Sequence, residues 1–463
     1  MKEVERVKET IYIYHTNDLH SHLENWPSIH HFLSNKRKMH EKKDSYLILD
    51  IGDHVDRSNI YTEGTLGKGN VKLLNEAKYD YVTIGNNEGI TLSHEELDSL
   101  YTEANFEVIV SNFTNLDGEI PNWVKPYKIH QTPSGIKIGI VAATADYGVY
   151  YEKLGWHVQD PIPRLKNVCK EISSQVDILI CMSHLGKSQD EILIEQIPSL
   201  DLILGAHTHH LFEEGKWLGN TLQAATGKFG MYIGRVILEF DHISKKIVSK
   251  EAKVYPTDEL PVPEYASQLQ MRWEYEGKAQ LSHTVFNNPV KLEKEWFHES
   301  ELAKFFGKGL LEYTGADCAM FPAGIFLKDL PEGPVTAGDL HQCLPHPINP
   351  CIITLSGADL LEIIEQSKND KWPHLEVKGL GFRGKFLGNV LFEQIVERED
   401  GVIFIQGSPL LIQDTYRLAT LDMFTFGYFF PSFKTAKKQY IMPETIRDVV
   451  KWYGIKEEHK CRA

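Results

Sequence analysis

No run of apolar residues in this chain approaches the roughly 18 that a membrane-crossing helix requires, and the opening MKEVERVKET is charged, with no apolar signal region behind it. Neither a membrane span nor an export signal is expected, and the chain reads as cytoplasmic. Cysteine is sparse. Cys169, Cys181, Cys318, Cys343, Cys351 and Cys461 show none of the paired spacings of a zinc site or a disulfide framework, so they read as free thiols. Positive charge is the minority sign, with 49 basic against 64 acidic residues and a formal net charge of -15. That balance argues against a broad phosphate-backbone footprint, and a nucleic acid polymer is not an expected partner. Internal repeats, low-complexity tracts and coiled-coil heptads are also missing, which excludes solenoid and fibrous readings.

What is present is an ordinary globular composition, 42% hydrophobic over 463 residues, enough for two or three domains with sizeable cores. From residue 11 to about 255, strand-like runs alternate with amphipathic segments at 27–42, 66–78, 93–104, 160–175 and 187–197. This order predicts an α/β layered domain. After DLILGAHTHH come the closely spaced runs NTLQAATG, MYIGRVILEFD and KKIVSKEAKVYP, read as an antiparallel meander. TDELPVPEYAS breaks the pattern, and 263–280 reads as one polar helix. The expected organisation is therefore a first domain over 1–255, a linker with a helix over 256–283, and a second domain over 284–463. The second has helices at 299–313, 336–343 and 358–367 and aromatic-rich strands near its end.

Five of the apolar runs end on residues that bind metals. IYIYHTND leads to Asp18 and His20, YLILDIGD to Asp53, DYVTIGN to Asn86, DILICMSH to His184, and DLILGAHTHH to His207 and His209. A single His, Asp or Asn at a strand exit is more often a hydrogen-bonded boundary residue or a turn former. Seven of them at strand exits within one half of the chain exceed what turn chemistry explains, because strand ends of a sheet converge on one rim. Oxygen and imidazole donors in this mix suit two divalent ions drawn from Mn, Co, Zn, Fe or Mg.

With these residues in place, the chain resembles the metallophosphoesterase superfamily, and more closely its two-domain 5'-nucleotidase and UDP-sugar hydrolase family. DLH at Asp18–His20, GD at Gly52 and Asp53, GNNE at Gly85–Glu88 and GAHTH at Gly205–His209 are similar to the family's motifs in order. The resemblance implies a four-layer α-β-β-α sandwich followed by a smaller α+β C-terminal domain that binds nucleotides. It also implies that Asp18, His20 and His209 hold one ion, that Asn86, His184 and His207 hold the other, and that Asp53 bridges them. A shared carboxylate can hold two cations roughly 3.5–4 Å apart, where both polarise a phosphoryl oxygen and a bound water becomes nucleophilic near neutral pH.

The third motif departs from the family's Gly-Asn-His-Glu, in which the His assists the leaving group and an Asp three positions later orients it. Here Asn87 and Ile90 stand in those places, and a neutral amide can donate a hydrogen bond but not a proton. His22 shares strand parity with His20 and is the first candidate to substitute; His54 and His210 are further ones, each with a surface or supporting role as its alternative. Arg57, in GDHVDRS, resembles an arginine that grips phosphate in phosphoprotein phosphatases, and its alternative is a loop arginine paired to Asp56 or Glu63. In the second half, Arg383 and Lys385 are candidates for an anionic group. His346, Phe424, Phe426 and Tyr428 are candidates for stacking a base, with a core role as the alternative for the aromatics. The expected function is hydrolysis of a nucleotide or related small phosphate ester. Cyclic-nucleotide, UDP-sugar or dinucleotide cleavage on the same site, or metal-dependent nucleotide sensing without turnover, are the alternatives.

Overall fold

Parallel strands need crossovers, and the first half of the chain supplies them as helices. The computed structural model describes residues 8–41 and 45–462, with side chains to Lys460. It divides into two units, Met1–Glu276 and Gly277–Ala463, so the boundary falls inside the helix Ala266–Gln280.

The first unit holds two mixed sheets. One has seven strands in the order Lys246–Pro256, Tyr232–Asp241, Lys8–Thr16, Ser45–Asp50, Tyr81–Val82, Glu107–Ile109 and Val124–Lys125. The other has six, in the order Lys216–Leu218, Thr221–Ala224, Leu202–Gly205, Ile178–His184, Lys137–Thr144 and Tyr127–Gln131. Alternation along each strand sends one set of side chains between the sheets, where Ile11, Ile13, Leu47 and Leu49 meet Ile138, Ile140, Ile180 and Leu204. On the far face of the second sheet, Val141, Leu179 and Ile203 pack under Leu165, Val168 and Leu193 from the helices Pro161–Ile172 and Lys187–Gln196. The helix Trp26–His40 buries Ile29 and Leu33 and contacts the strand Ser45–Asp50 of the first sheet. The result is the four-layer α-β-β-α sandwich.

The expected meander is corrected. Thr221–Ala224 pairs in parallel with Leu202–Gly205 in the second sheet, whereas Tyr232–Asp241 and Lys246–Pro256 form a hairpin beside Lys8–Thr16 in the first. The chain changes sheets between these strands, which alternating hydrophobicity does not reveal because both sheets carry the same period.

The second unit is α+β. Its five-stranded sheet runs Val390–Glu393, Cys318–Pro322, Thr415–Leu421, Pro350–Ser356 and Lys437–Tyr440, with only the pair Cys318–Pro322 and Thr415–Leu421 parallel. Reciprocal capping boxes, Thr336 with Asp339 and Ser356 with Asp359, start two of its helices. The aromatic-rich end is corrected: beyond Leu421 it forms short 3-10 turns, in which Phe424, Phe430 and Phe433 fill the core, and the chain then closes with the helix Ile446–Arg462. Cys169, Cys181, Cys318, Cys343 and Cys351 are buried free thiols, while the Cys461 side chain lies outside the described residues. Among the described residues, no helix is long and apolar enough to cross a membrane.

Candidate metal centre

Strands Lys8–Thr16, Ser45–Asp50 and Tyr81–Val82 run parallel, as do Ile178–His184 and Leu202–Gly205 in the other sheet. Their C-terminal ends therefore emerge on one rim of each sheet, and all seven ligand candidates lie at or just beyond these ends, His184 as the last residue of its strand and Asn86 as the first of the helix Asn86–Thr91. Backbone hydrogen bonds continue past the strands, from Asp18 to Gly52 (3.0 Å) and from His20 to Asp53 (2.8 Å), which register the first two loops. The backbone is forced into the left-handed region at Asp18, His20, Ser21, Asp53, His207 and His209. Side-chain-bearing residues rarely adopt this conformation, and its concentration here marks a functional loop cluster held in place by the sandwich beneath.

Glycine is required at two points. A Cβ on Gly85 would meet Asp53 Oδ1 at 2.1 Å, and one on Gly52 (φ +86) would meet the Gly85 backbone at 2.4 Å. Glu88 locks these loops together, accepting from the amides of Asp53 (3.0 Å), Val55 (2.8 Å) and Gly85 (2.8 Å). Asn17 steadies Asp18 through a 2.7 Å hydrogen bond to its carboxylate.

The ligand atoms converge in two groups. Asp18, His20 and His209 bring one atom each within 4.8 Å of one another, and so do Asp18, Asp53 and His184. His20 Nε2 lies 3.2 Å from His209 Nε2 and 3.7 Å from both Asp18 Oδ1 and Asp53 Oδ2. His184 Nε2 lies 3.4 Å from Asp53 Oδ2. His207 joins through its backbone, whose N–H donates to the Asp18 carboxylate, and its ring stands 5.4 Å from that of His184. Two atoms test the fit of metal ions directly: Asn86 Oδ1 and His184 Nε2 are buried with no hydrogen-bond partner among the described residues. Orphaned buried donors and acceptors are costly, and a bound cation would give such atoms a partner.

The field has the matching sign. Burial alone would lower the pKa values of His20 and His184, yet hydrogen bonds from the His20 ring to Asp18 and Asp56, with the Asp53 charge, lift His20 to about 10, and Asp53 with Asp18 lifts His184 to about 9. Burial also pushes Asp18 up, but its histidine partners more than offset that and hold it below the ordinary carboxylate range. Burial lowers His207 to about 4, leaving a neutral ring with a free lone pair.

The remaining candidates fall elsewhere. Asn87 lies inside the cage: its amide nitrogen donates to Asp53 Oδ2 (3.0 Å) and sits 2.8 Å from His20 Nδ1, while its backbone N–H donates to Asp53 Oδ1 (2.7 Å). His22 turns outward onto Glu24 (2.6 Å) and stacks against Phe229, because Ser21 before it is left-handed and strand parity no longer applies. His54 is buried beside Asn70, and His210 contacts Thr208. Arg57 grips Glu63 with Nε (2.8 Å) and Nη2 (3.0 Å) and donates to the carbonyl of Thr91 (2.7 Å), the pairing that stood as the alternative to a phosphate role.

In the second unit His346 is fully buried, accepting from the Arg383 amide (2.8 Å) and donating to the Ile325 carbonyl (2.7 Å), so it cannot stack a base. Phe424 is likewise core, whereas Phe426 and Tyr428 are exposed, at 42% and 72%, and Arg383 is half-buried. Sequence reasoning missed Glu88 and Asn17 as supports, along with Phe229, whose ring lies 5.9 Å from that of His20 and 6.5 Å from that of His209. The Glu of GNNE was the one signal available for these.

The family model for calcineurin-like phosphoesterases matches residues 11–211, and that for the 5'-nucleotidase C-terminal domain matches residues 279–429. Over 458 residues the chain is 40% identical to the uncharacterized metallophosphoesterase YunD of Bacillus subtilis, a match covering 96% of this chain and 99% of that protein. Among solved structures, a putative 5'-nucleotidase from Staphylococcus aureus in complex with alpha-ketoglutarate superimposes with a TM-score of 0.68 at 17% identity, covering 96% of each chain. The NAD nucleotidase NadN of Haemophilus influenzae does so with 0.66 at 15%, covering 98% of this chain and 97% of that one. These two likenesses concern the fold. The full-length sequence match and the two family models show that this chain belongs to the metallophosphoesterases, in the two-domain 5'-nucleotidase family of phosphoester hydrolases.

Proposed function

We propose that this hydrolase acts on a nucleotide or related small phosphate ester, with two divalent ions held by Asp18, His20, Asp53 and His209 on one side and by Asp53, Asn86, His184 and His207 on the other. The observation that carries the reading is the pair of orphaned buried atoms, Asn86 Oδ1 and His184 Nε2, together with two donor groups that share Asp18. When bound, such ions supply charge neutralisation at phosphorus and acidify an attacking water. The chain's own contribution is orientation: Glu88 fixes the Asp53 loop and Asn17 fixes Asp18. Phe426, Tyr428 and Arg383 are the candidates for nucleotide contacts on the second unit.

Asn87 favours a second reading on the same site. Its amide is already engaged by Asp53 and His20, so this motif offers the leaving group no proton. Phosphodiester and pyrophosphate bonds with acidic leaving groups suffer least from that loss, which is commonly worth 10²–10⁴ in rate. The deciding experiment is product analysis on nucleotides, cyclic nucleotides, UDP-sugars and dinucleotides, with Mn, Co, Zn and Mg after chelator treatment. Metal-dependent turnover of one class fixes the bond cleaved. Metal-dependent binding without turnover would replace the enzymatic reading with a sensor.

A further inference from the structure

Metal-ligating histidines are ordinarily oriented through the ring nitrogen that does not face the ion. His184 follows this rule, with Nδ1 on the carbonyl of Ile51 at 2.7 Å. His209 does not. Among the described residues its polar partners are His20 Nε2 (3.2 Å) and Asp18 Oδ1 (3.5 Å), both of which belong to the same ligand group, and its side chain is 33% exposed. Among the described residues no protein group outside this ligand set holds the ring by a hydrogen bond, so packing is left to set its angle from the protein side.

Phe229 is placed to do so. Its ring lies 6.5 Å from His209, 5.9 Å and edge-on to His20, and 3.8 Å from His22. Its backbone sits in the left-handed region (φ 63), which an aromatic residue seldom occupies. Two hydrogen bonds keep it there and tie it to the first ligand loop: its N–H donates to the Asp18 carbonyl (2.7 Å), and its carbonyl accepts from Asn25 Nδ2 (2.8 Å). Its ring is also contacted by Lys228 Nζ at 4.4 Å. With His22 and Lys228 already against it, the ring is not a bare platform for a substrate base.

We infer that Phe229 is a positioning residue for one metal only, fixing the His209 ring by packing where His184 uses a hydrogen bond, and packing edge-on to His20, whose Nδ1 is also held by Asn87 (2.8 Å). The inference rests on the two-ion reading above. It assigns this residue no contact with substrate and no effect on the ion held by Asn86, His184 and His207.

Cobalt(II) titration of the full-length, chelator-treated protein tests it, read by visible absorption and calorimetry. Phe229→Asn removes the ring while tolerating the left-handed backbone, and Phe229→Tyr keeps the ring. In wild type two ions should bind. In Phe229→Asn one should weaken by about 10- to 100-fold with the other unchanged, and the surviving spectrum should match that of His209→Ala and differ from that of His184→Ala. Phe229→Tyr should bind both ions like wild type. Equal affinities in Phe229→Asn and wild type would overturn the inference, as would a parallel weakening of both ions with a lowered melting temperature, or a raised KM with both ions retained. Wild-type protein that binds no cobalt would overturn the metal-centre reading itself.

Discussion

His184 Nδ1 stands 2.7 Å from the carbonyl oxygen of Ile51, and because a carbonyl only accepts, the neutral ring must carry its proton there and turn the Nε2 lone pair toward Asp53 Oδ2, 3.4 Å away. Burial would lower the pKa of this ring, but Asp53 and then Asp18 lift it to about 9, so a second proton occupies Nε2 at neutral pH. A metal ion must displace that proton. Manganese affinity should therefore rise by at least about tenfold per pH unit between pH 6.5 and 8.5, measured by calorimetry in buffers of different ionisation enthalpy to count the protons released. An affinity independent of pH would show that no proton stands in the way.

Asp53 is the residue that bridges the two ions in the proposed centre, and its carboxylate is also held by the Asn87 amide and backbone. Asp53→Ala should abolish metal occupancy and turnover together. Retained activity in this variant would remove the mechanism.

Restoring the family's dyad should help the poorest leaving groups. Asn87→His with Ile90→Asp is expected to raise hydrolysis of nucleoside monophosphates by about 10- to 100-fold and to change hydrolysis of p-nitrophenyl phosphate much less, since that leaving group needs little protonation. No change on either substrate would mean that another acid already serves.

The convergence of Asp18, His20, Asp53, His184 and His209 was legible because apolar runs each ended in donors, and parallel strands bring such ends to one rim. What lay beyond reach was where each side chain turns after the strand stops. His22 shares parity with His20 on paper, yet left-handed backbone at His20 and Ser21 rotates it out to Glu24. For Arg57 the sequence offered both a phosphate and a pairing to Asp56 or Glu63, and with Glu63 six residues away nothing local decided between them. In the second unit, the same aromatic residues served equally well as strand, core or base platform. Only burial separates Phe424 from Tyr428.

Arg57 offers a direct check on that point. Its guanidinium satisfies both oxygens of Glu63 and the carbonyl of Thr91 at the end of the helix Asn86–Thr91, with the arginine side chain only 13% exposed. Arg57→Ala should cost about 1–3 kcal/mol of stability in urea by leaving Glu63 unpartnered by the guanidinium, with KM changed less than about threefold. A KM raised tenfold or more with stability unaltered would return Arg57 to the phosphate.

Two buried groups in the second unit should oppose each other in pH dependence. Burial lowers His346 to about 3 despite the pull of the Ile325 carbonyl, so the folded ring stays neutral while the unfolded one, at 6.5, takes up a proton. Its contribution to stability is complete above pH 6.5 and is lost as pH falls toward 3. Burial raises Asp422 to about 7 despite the amides that stabilise its charge, against 3.8 unfolded. Its contribution is complete below pH 3.8 and is lost as pH rises toward 7. Between about pH 4 and 6.5 the slopes are equal and opposite, about 1.4 kcal/mol per pH unit each, and the net dependence from this pair is nearly flat. His346→Gln, which can still accept from the Arg383 amide and donate to Ile325, should leave a unit whose urea midpoint falls with rising pH. Relative to wild type, Asp422→Asn should add a midpoint that falls with falling pH, and the double variant should return to the wild-type pH dependence. If both single variants kept the wild-type pH dependence, neither group would hold its buried protonation state.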